Sequence, residues 1–197
     1  MTTDATPTAC VGLLRAVNVG AHNQISMTDL KTMVRDAGGT QVATYIRSGN
    51  VVFCSDQGPE AMADAIELQI ARSSHIHVDV MVRSLAQMKD IVAANPYLTA
   101  NGTADLGGEP VDGTKLVVSF YKRTVAPDRF SPLNQSEFAP EQLWLRGAEL
   151  YLRLPFGQGR SKLLDAISKL KLDLPCTARS WNTVLKLTAM AEKASPG

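Results

Sequence analysis

The sequence lacks a surplus of charge. Twenty Lys and Arg stand against nineteen Asp and Glu, a formal net charge of +1, so bulk charge does not hold this chain to nucleic acid or membrane. It lacks a long apolar run, with nothing approaching the roughly 20 residues that cross a bilayer. The first residues, MTTDATPTAC, lack the basic and apolar blocks of a secretory signal. Cysteine is scarce: Cys10, Cys54 and Cys176 show no paired spacing, which fits reduced thiols in a cytosol rather than a disulfide framework. The expectation is a cytoplasmic protein with no membrane partner.

Catalytic templates are also missing. There is no G-x-S-x-G elbow and no H-E-x-x-H helix. Neither the Walker spacing nor the dinucleotide G-x-G-x-x-G occurs. His75 and His77 share one face of a strand without a third ligand at a metal spacing, so no metal is assigned. Small buried cysteines such as Cys10 and Cys54 are ordinary core residues. No nucleophile and base are identified, any cofactor is unknown, and enzyme status stays open.

What is present is a chain able to bury a core, 45% hydrophobic and 20% charged over 197 residues. The length suits one compact unit or two small subdomains. Ala9–Val17 reads as a strand, and Ser26 with Asp29 opens a helix as a weak capping box. Met27, Leu30, Val34 and Ala37 give its apolar stripe, and Gly38-Gly39 stops it. QVATYIR, the turn SGN and VVFCS form a hairpin. Pro59 starts a second helix through Met62, Ile66 and Ile70, and IHVDVMV is a fourth strand. That order, strand-helix-strand-strand-helix-strand, predicts a ferredoxin-like unit.

The second half partly repeats it, without a detectable sequence repeat. A helix, SLAQMKDIVAAN, leads to a Gly- and Asp-rich loop from Asn101 to Gly113. KLVVSFY is a strand, Pro127–Phe138 an irregular crossover, and QLWLR with ELYLR a hairpin about Gly147-Ala148. Leu163, Leu164, Ile167 and Leu170 mark a helix, Pro175 interrupts the pattern, and NTVLKLTAMAEK is a terminal helix. The fold class is therefore α+β: two ferredoxin-like (βαββαβ-type) halves, the second incomplete, plus a C-terminal helix. The expected boundaries are 1–83, a connecting helix and loop over 84–114, and 115–197.

Three features attract function. In such a sheet the first two strands run parallel, and their carboxyl ends meet beside the start of the third. That rule gathers Arg15, Asn18, Asn23, Arg47, Ser48, Gly49 and Asn50 at one edge, a set suited to an oxyanion or carboxylate. The same Asn and Gly residues equally suit turn building. PFGQGRSK, before a helix, offers Gly159, Arg160, Ser161 and Lys162 to an anion at a helix N-terminus; a solvated loop is the plainer alternative. The hairpin sets Trp144 opposite Tyr151 and Arg146 opposite Glu149, with Gln142 and Arg153 on the same open face. Stacked bases or a packed sheet face would both use it.

LLRAVNVGAHNQISMTDLKTMV, TYIRSGNVVF, and GRSKLLDAI followed by TARSWNTVLKL resemble the domain of unknown function family 1697. The resemblance spans nearly the whole chain. It implies a compact bacterial α+β protein of duplicated ferredoxin-like units, with no established reaction. Ala16, Ala21 and His22 depart from the family's usual LLRGINVGG block. Its recurrent polar positions fall on Arg15, Asn18, Asn23, Ser48, Asn50, Arg160, Ser161, Lys162, Arg179, Trp181 and Asn182.

The leading expectation is a small anionic ligand bearing phosphate or carboxylate. A nucleic-acid-binding module is the first alternative: from Arg146 onward nine Lys and Arg face four Asp and Glu, and Trp144, Tyr151 and Trp181 could stack bases. A non-catalytic structural protein that forms homo-oligomers through open sheet faces is the second.

Overall fold

Two apolar strands buried on both faces organise the architecture. In the computed structural model, which describes residues 6–19, 23–98 and 112–195, β1 (Thr8–Leu14) and β3 (Asn50–Ser55) have nearly every residue buried. A strand covered on both sides needs no polar alternation, which is why ACVGLL reads as a continuous run. The chain forms an α+β fold with two four-stranded antiparallel sheets and five helices among the described residues. It divides into two compact units, Met1–Asp90 with Leu185–Gly197, and Ile91–Val184.

The first unit contains β1, α1 (Met27–Asp36), β2 (Thr40–Thr44), β3, α2 (Pro59–Ser74) and β4 (Val80–Ser84), in sheet order β2-β3-β1-β4. Ser26 caps α1 as expected, accepting from the Asp29 amide at 3.0 Å and donating to its carboxylate at 2.7 Å. Pro59 occupies the first turn of α2. Leu30, Val34, Met62, Ile66 and Ile70 pack with Val51, Phe53, Val80 and Val82 to form the core. Against the expected strand over residues 76–82, β4 begins at Val80, because α2 ends on His75 in left-handed backbone.

α3 (Leu85–Ala93) follows β4 directly, and Ser84 and Gln87 cap each other reciprocally at 2.8 and 3.2 Å. The second unit then holds β5 (Leu116–Tyr121), β6 (Gln142–Arg146), β7 (Glu149–Arg153), α4 (Lys162–Lys169) and β8 (Cys176–Ser180), in order β6-β7-β5-β8. Two short 3-10 turns, Pro127–Phe130 and Gln135–Phe138, stand where the first unit has α1. Residues 101–111 of the expected Gly- and Asp-rich loop lie outside the described residues.

β8 corrects the expectation that Pro175 ends the pattern. Its buried residues are Thr177 and Arg179 rather than aliphatics, so periodicity could not reveal it. α5 (Trp181–Ala194) follows without a loop, and near its end the Ala194 carbonyl accepts from Cys54 Sγ at 3.0 Å. The junctions also repeat. Arg83-Ser84 and Arg179-Ser180 each close a fourth strand before a helix, and each arginine donates to the preceding carbonyl, Val82 O at 3.0 Å and Ala178 O at 2.8 Å. Arg83 stands opposite Val11 and Arg179 opposite Val118, the same place in each sheet.

Candidate functional site

At the first unit's edge, antiparallel pairing of β3 with both β1 and β2 brings Leu13 opposite Asn50 and Thr44 opposite Val51. The expected convergence follows from that register. What the side chains do there is mostly hold backbone. Asn18 Nδ2 donates to Ile25 O at 2.9 Å and Arg47 O at 2.8 Å, while its Oδ1 accepts from the Ile25 amide at 2.9 Å. The Asn18 amide donates to Asn23 O at 3.1 Å. Asn50, fully buried, donates to Tyr45 O at 3.1 Å and Ser48 Oγ at 3.0 Å.

This clamping matches the conformation it must maintain. Ala16, Asn18, Asn23, Ile46 and Gly49 all have positive φ in these two loops, a costly geometry for residues other than glycine. Arg15 pairs with Asp79 at 3.0 Å with both side chains substantially exposed, so the pair contributes roughly 0–1 kcal/mol. Arg47 is exposed, and its guanidinium has no hydrogen-bond or ion-pair partner among the described residues.

In the second unit, Ser161 is buried and caps α4, its Oγ accepting from the Leu164 amide at 2.9 Å. The neighbouring donor, the Leu163 amide, is taken by Glu141 Oε2 at 2.8 Å. Sequence reasoning missed Glu141, which lies twenty-two residues from its partner and leaves no local capping signal. It is only 3% exposed, and its Oε1 has no hydrogen-bond partner among the described residues. Gly159, Arg160 and Lys162 are exposed. Gly157 has φ +80, and a Cβ placed on it would stand 3.8 Å from Lys115 Nζ. Lys115 is a second omission, placed here by the Leu154 amide donating to its carbonyl at 2.8 Å.

Arg179 and Trp181 serve packing. Arg179 Nη1 donates to Thr177 Oγ1 at 2.7 Å, and burial pushes its guanidinium pKa down to about 10. Trp181 is buried, its amide donating to Gly113 O at 3.1 Å. Asn182 is exposed and fills the space over Gly113 that a Cβ would need. Gly113 is two residues before Lys115, so the β8–α5 junction and the Gly157 loop flank the start of β5.

The hairpin has the expected register, Trp144 opposite Tyr151 and Arg146 opposite Glu149, but not the expected open face. Tyr151 is buried and donates its hydroxyl to Ile91 O at 3.0 Å. Trp144 is 38% exposed and tilts against that ring at 5.3 Å. Of this pair, only Trp144 offers an accessible ring.

A cleft of about 380 Å³ lies elsewhere in the first unit, lined by Asp29, Thr32 and Asp36 of α1 with Ser73 and Ser74. Its two carboxylates disfavour an anion, and no residue singled out from the sequence as a ligand contact lines it. Among the described residues, no group of three or more His, Cys, Asp or Glu could hold a metal ion, and no helix is long and apolar enough to cross a membrane.

The architecture thus defines an α+β protein of two four-stranded antiparallel sheets, with polar loops clamped at their edges. The chain belongs to the DUF1697 family, proteins of unknown function, whose model matches residues 8–151. A solved structure, that of a conserved bacterial protein from Streptococcus pneumoniae, is similar in fold: the TM-score is 0.67 at 22% identity, covering 94% of this chain and 99% of that one. No curated protein matches.

Proposed function

We propose that this protein binds a small phosphate-bearing anion at the loop Gly157–Lys162 of the second unit. The observation that carries the reading is Lys115, whose ammonium stands 3.8 Å from the point where a Gly157 Cβ would lie. The loop adds Arg160 and Lys162, both exposed. Cations beside a glycine in left-handed backbone supply charge and close backbone approach together, as phosphate recognition requires. The first unit's edge lends less support, since Asn18 and Asn50 hold backbone and Arg15 pairs with Asp79.

Each half is read as ferredoxin-like, on the strength of the common strand order; on that reading the repeats are 1–83 and 115–197, joined by 84–114, with residues 185–197 belonging to the first compact unit. Three free cysteines support a cytoplasmic setting. Thermal-shift titration with inorganic phosphate tests the function. Stabilisation that grows with phosphate and disappears in the Lys115→Ala, Arg160→Ala double variant is expected. An unmoved transition in the unaltered chain refutes it.

A further inference from the structure

We infer that the phosphate compound bound at the Gly157–Lys162 loop also carries a hydroxyl group, which Glu141 receives; this rests on the phosphate reading above. α4 has eight residues, and two donors of its opening turn, the Leu163 and Leu164 amides, are taken by Glu141 Oε2 and Ser161 Oγ. The other oxygen of the same carboxylate, Oε1, is closed off from solvent and has no donor among the described residues. A carboxylate oxygen buried in that state is costly, because it has given up water without replacement. Buried polar atoms of this kind call for a partner.

The surroundings select its chemistry. Arg160 and Lys162 precede Leu163 in the chain and Lys115 stands at Gly157, so the loop that takes the phosphate is already positive and disfavours a ligand that also carries an ammonium group or a metal ion. A second anion placed on Oε1 would meet the carboxylate's own charge. A neutral O–H donor satisfies both conditions. Carried on the molecule whose phosphate engages the loop cations, it makes the ligand a phosphorylated alcohol, the class that includes sugar phosphates. Oε1 is buried in the unliganded chain, so binding includes a local opening around Glu141. The hydrogen bonds that close the neighbouring 3-10 turn Gln158–Arg160, donated by the Arg160 amide to Gly157 O and by the Ser161 amide to Gln158 O, are long, at 3.2 and 3.3 Å.

Isothermal titration of the full chain with glycerol 3-phosphate and with n-propyl phosphate tests this, since the second ester keeps the phosphate and the length but has no hydroxyl. A hydrogen bond to a charged acceptor predicts that glycerol 3-phosphate binds about tenfold tighter or more. In E141Q the amide oxygen still accepts from Leu163, but a neutral group replaces the charged acceptor. The advantage then falls to a few-fold, while n-propyl phosphate binds as before. Equal binding of the two esters to the unaltered chain, as a trapped water on Oε1 would give, overturns this inference and leaves the phosphate reading standing. So does a preference undiminished in E141Q. Failure of both esters to bind overturns both readings. The comparison on the unaltered chain decides by itself should circular dichroism show E141Q unfolded.

Discussion

Replacing Asn18 by alanine separates a structural clamp from a ligand contact. The amide makes three hydrogen bonds of 2.8 to 2.9 Å, joining its own loop at Ile25 to the β2–β3 turn at Arg47. At about 1 kcal/mol net each, discounted for partial exposure, they contribute about 2 kcal/mol. Asn18 also sits at φ +58, where asparagine is tolerated and alanine costs about 1 kcal/mol more. The expected loss is about 3 kcal/mol, or a fall in Tm of roughly 6–12 °C for a chain of this size. Urea unfolding followed by circular dichroism, with the m-value checked, measures it. Asn18→Asp should lose at least as much, because a carboxylate would then face the Ile25 and Arg47 carbonyls. A loss below about 1 kcal/mol for Asn18→Ala would refute the clamp, since that is no more than one such bond.

Gly49→Ala should destabilise by about 2–3 kcal/mol, since Gly49 has φ +71 and an added Cβ would lie 2.8 Å from Leu14 Cβ; a thermal transition matching the unaltered chain contradicts this. The Cys10 thiol is pushed up to about 11 by burial and then by Cys54, and burial also raises Cys54. A raised thiol pKa favours the neutral form in the fold, so the Cys10 contribution is intact below pH 9 and is lost as pH rises from about 9 towards about 11. Native-state Ellman titration at pH 8 should accordingly label Cys176 and spare Cys10 and Cys54. Prompt labelling of all three shows the burial argument to be mistaken.

Short-range chemistry was legible along the chain. Ser26 with Asp29, Pro59, and the Gly147-Ala148 turn act on neighbours within a few residues, so capping and hairpin register follow from local steric and hydrogen-bond rules. The stripe through Leu30, Val34, Ile66 and Ile70 likewise reports one buried face wherever that face comes to lie. The stretches TYIRSGNVVF and RSWNTVLKL carried the resemblance, and the family's match over residues 8–151 covers the first of them. The same stretches also contain Asn18's partner Arg47, yet nothing in them says whether an amide is aimed at backbone or at solvent.

The sequence by itself determined every described α-helix and all strands but β8, the pairing within each hairpin and the family. Tertiary structure decided which polar groups are spent internally. β8 stayed hidden because Thr177 and Arg179 are buried by distant neighbours, not by an apolar stripe of their own. Glu141 caps a helix that begins twenty-one positions later, and Tyr151 loses its open face to Ile91, sixty residues away. Burial and hydrogen bonding at such separations depend on how strands stack in space, and hydrophobic periodicity carries no record of it. The even balance of charge conceals the same distinction: Arg15 is answered by Asp79, whereas Lys115 is brought beside Gly157 only when β5 and the end of β7 meet.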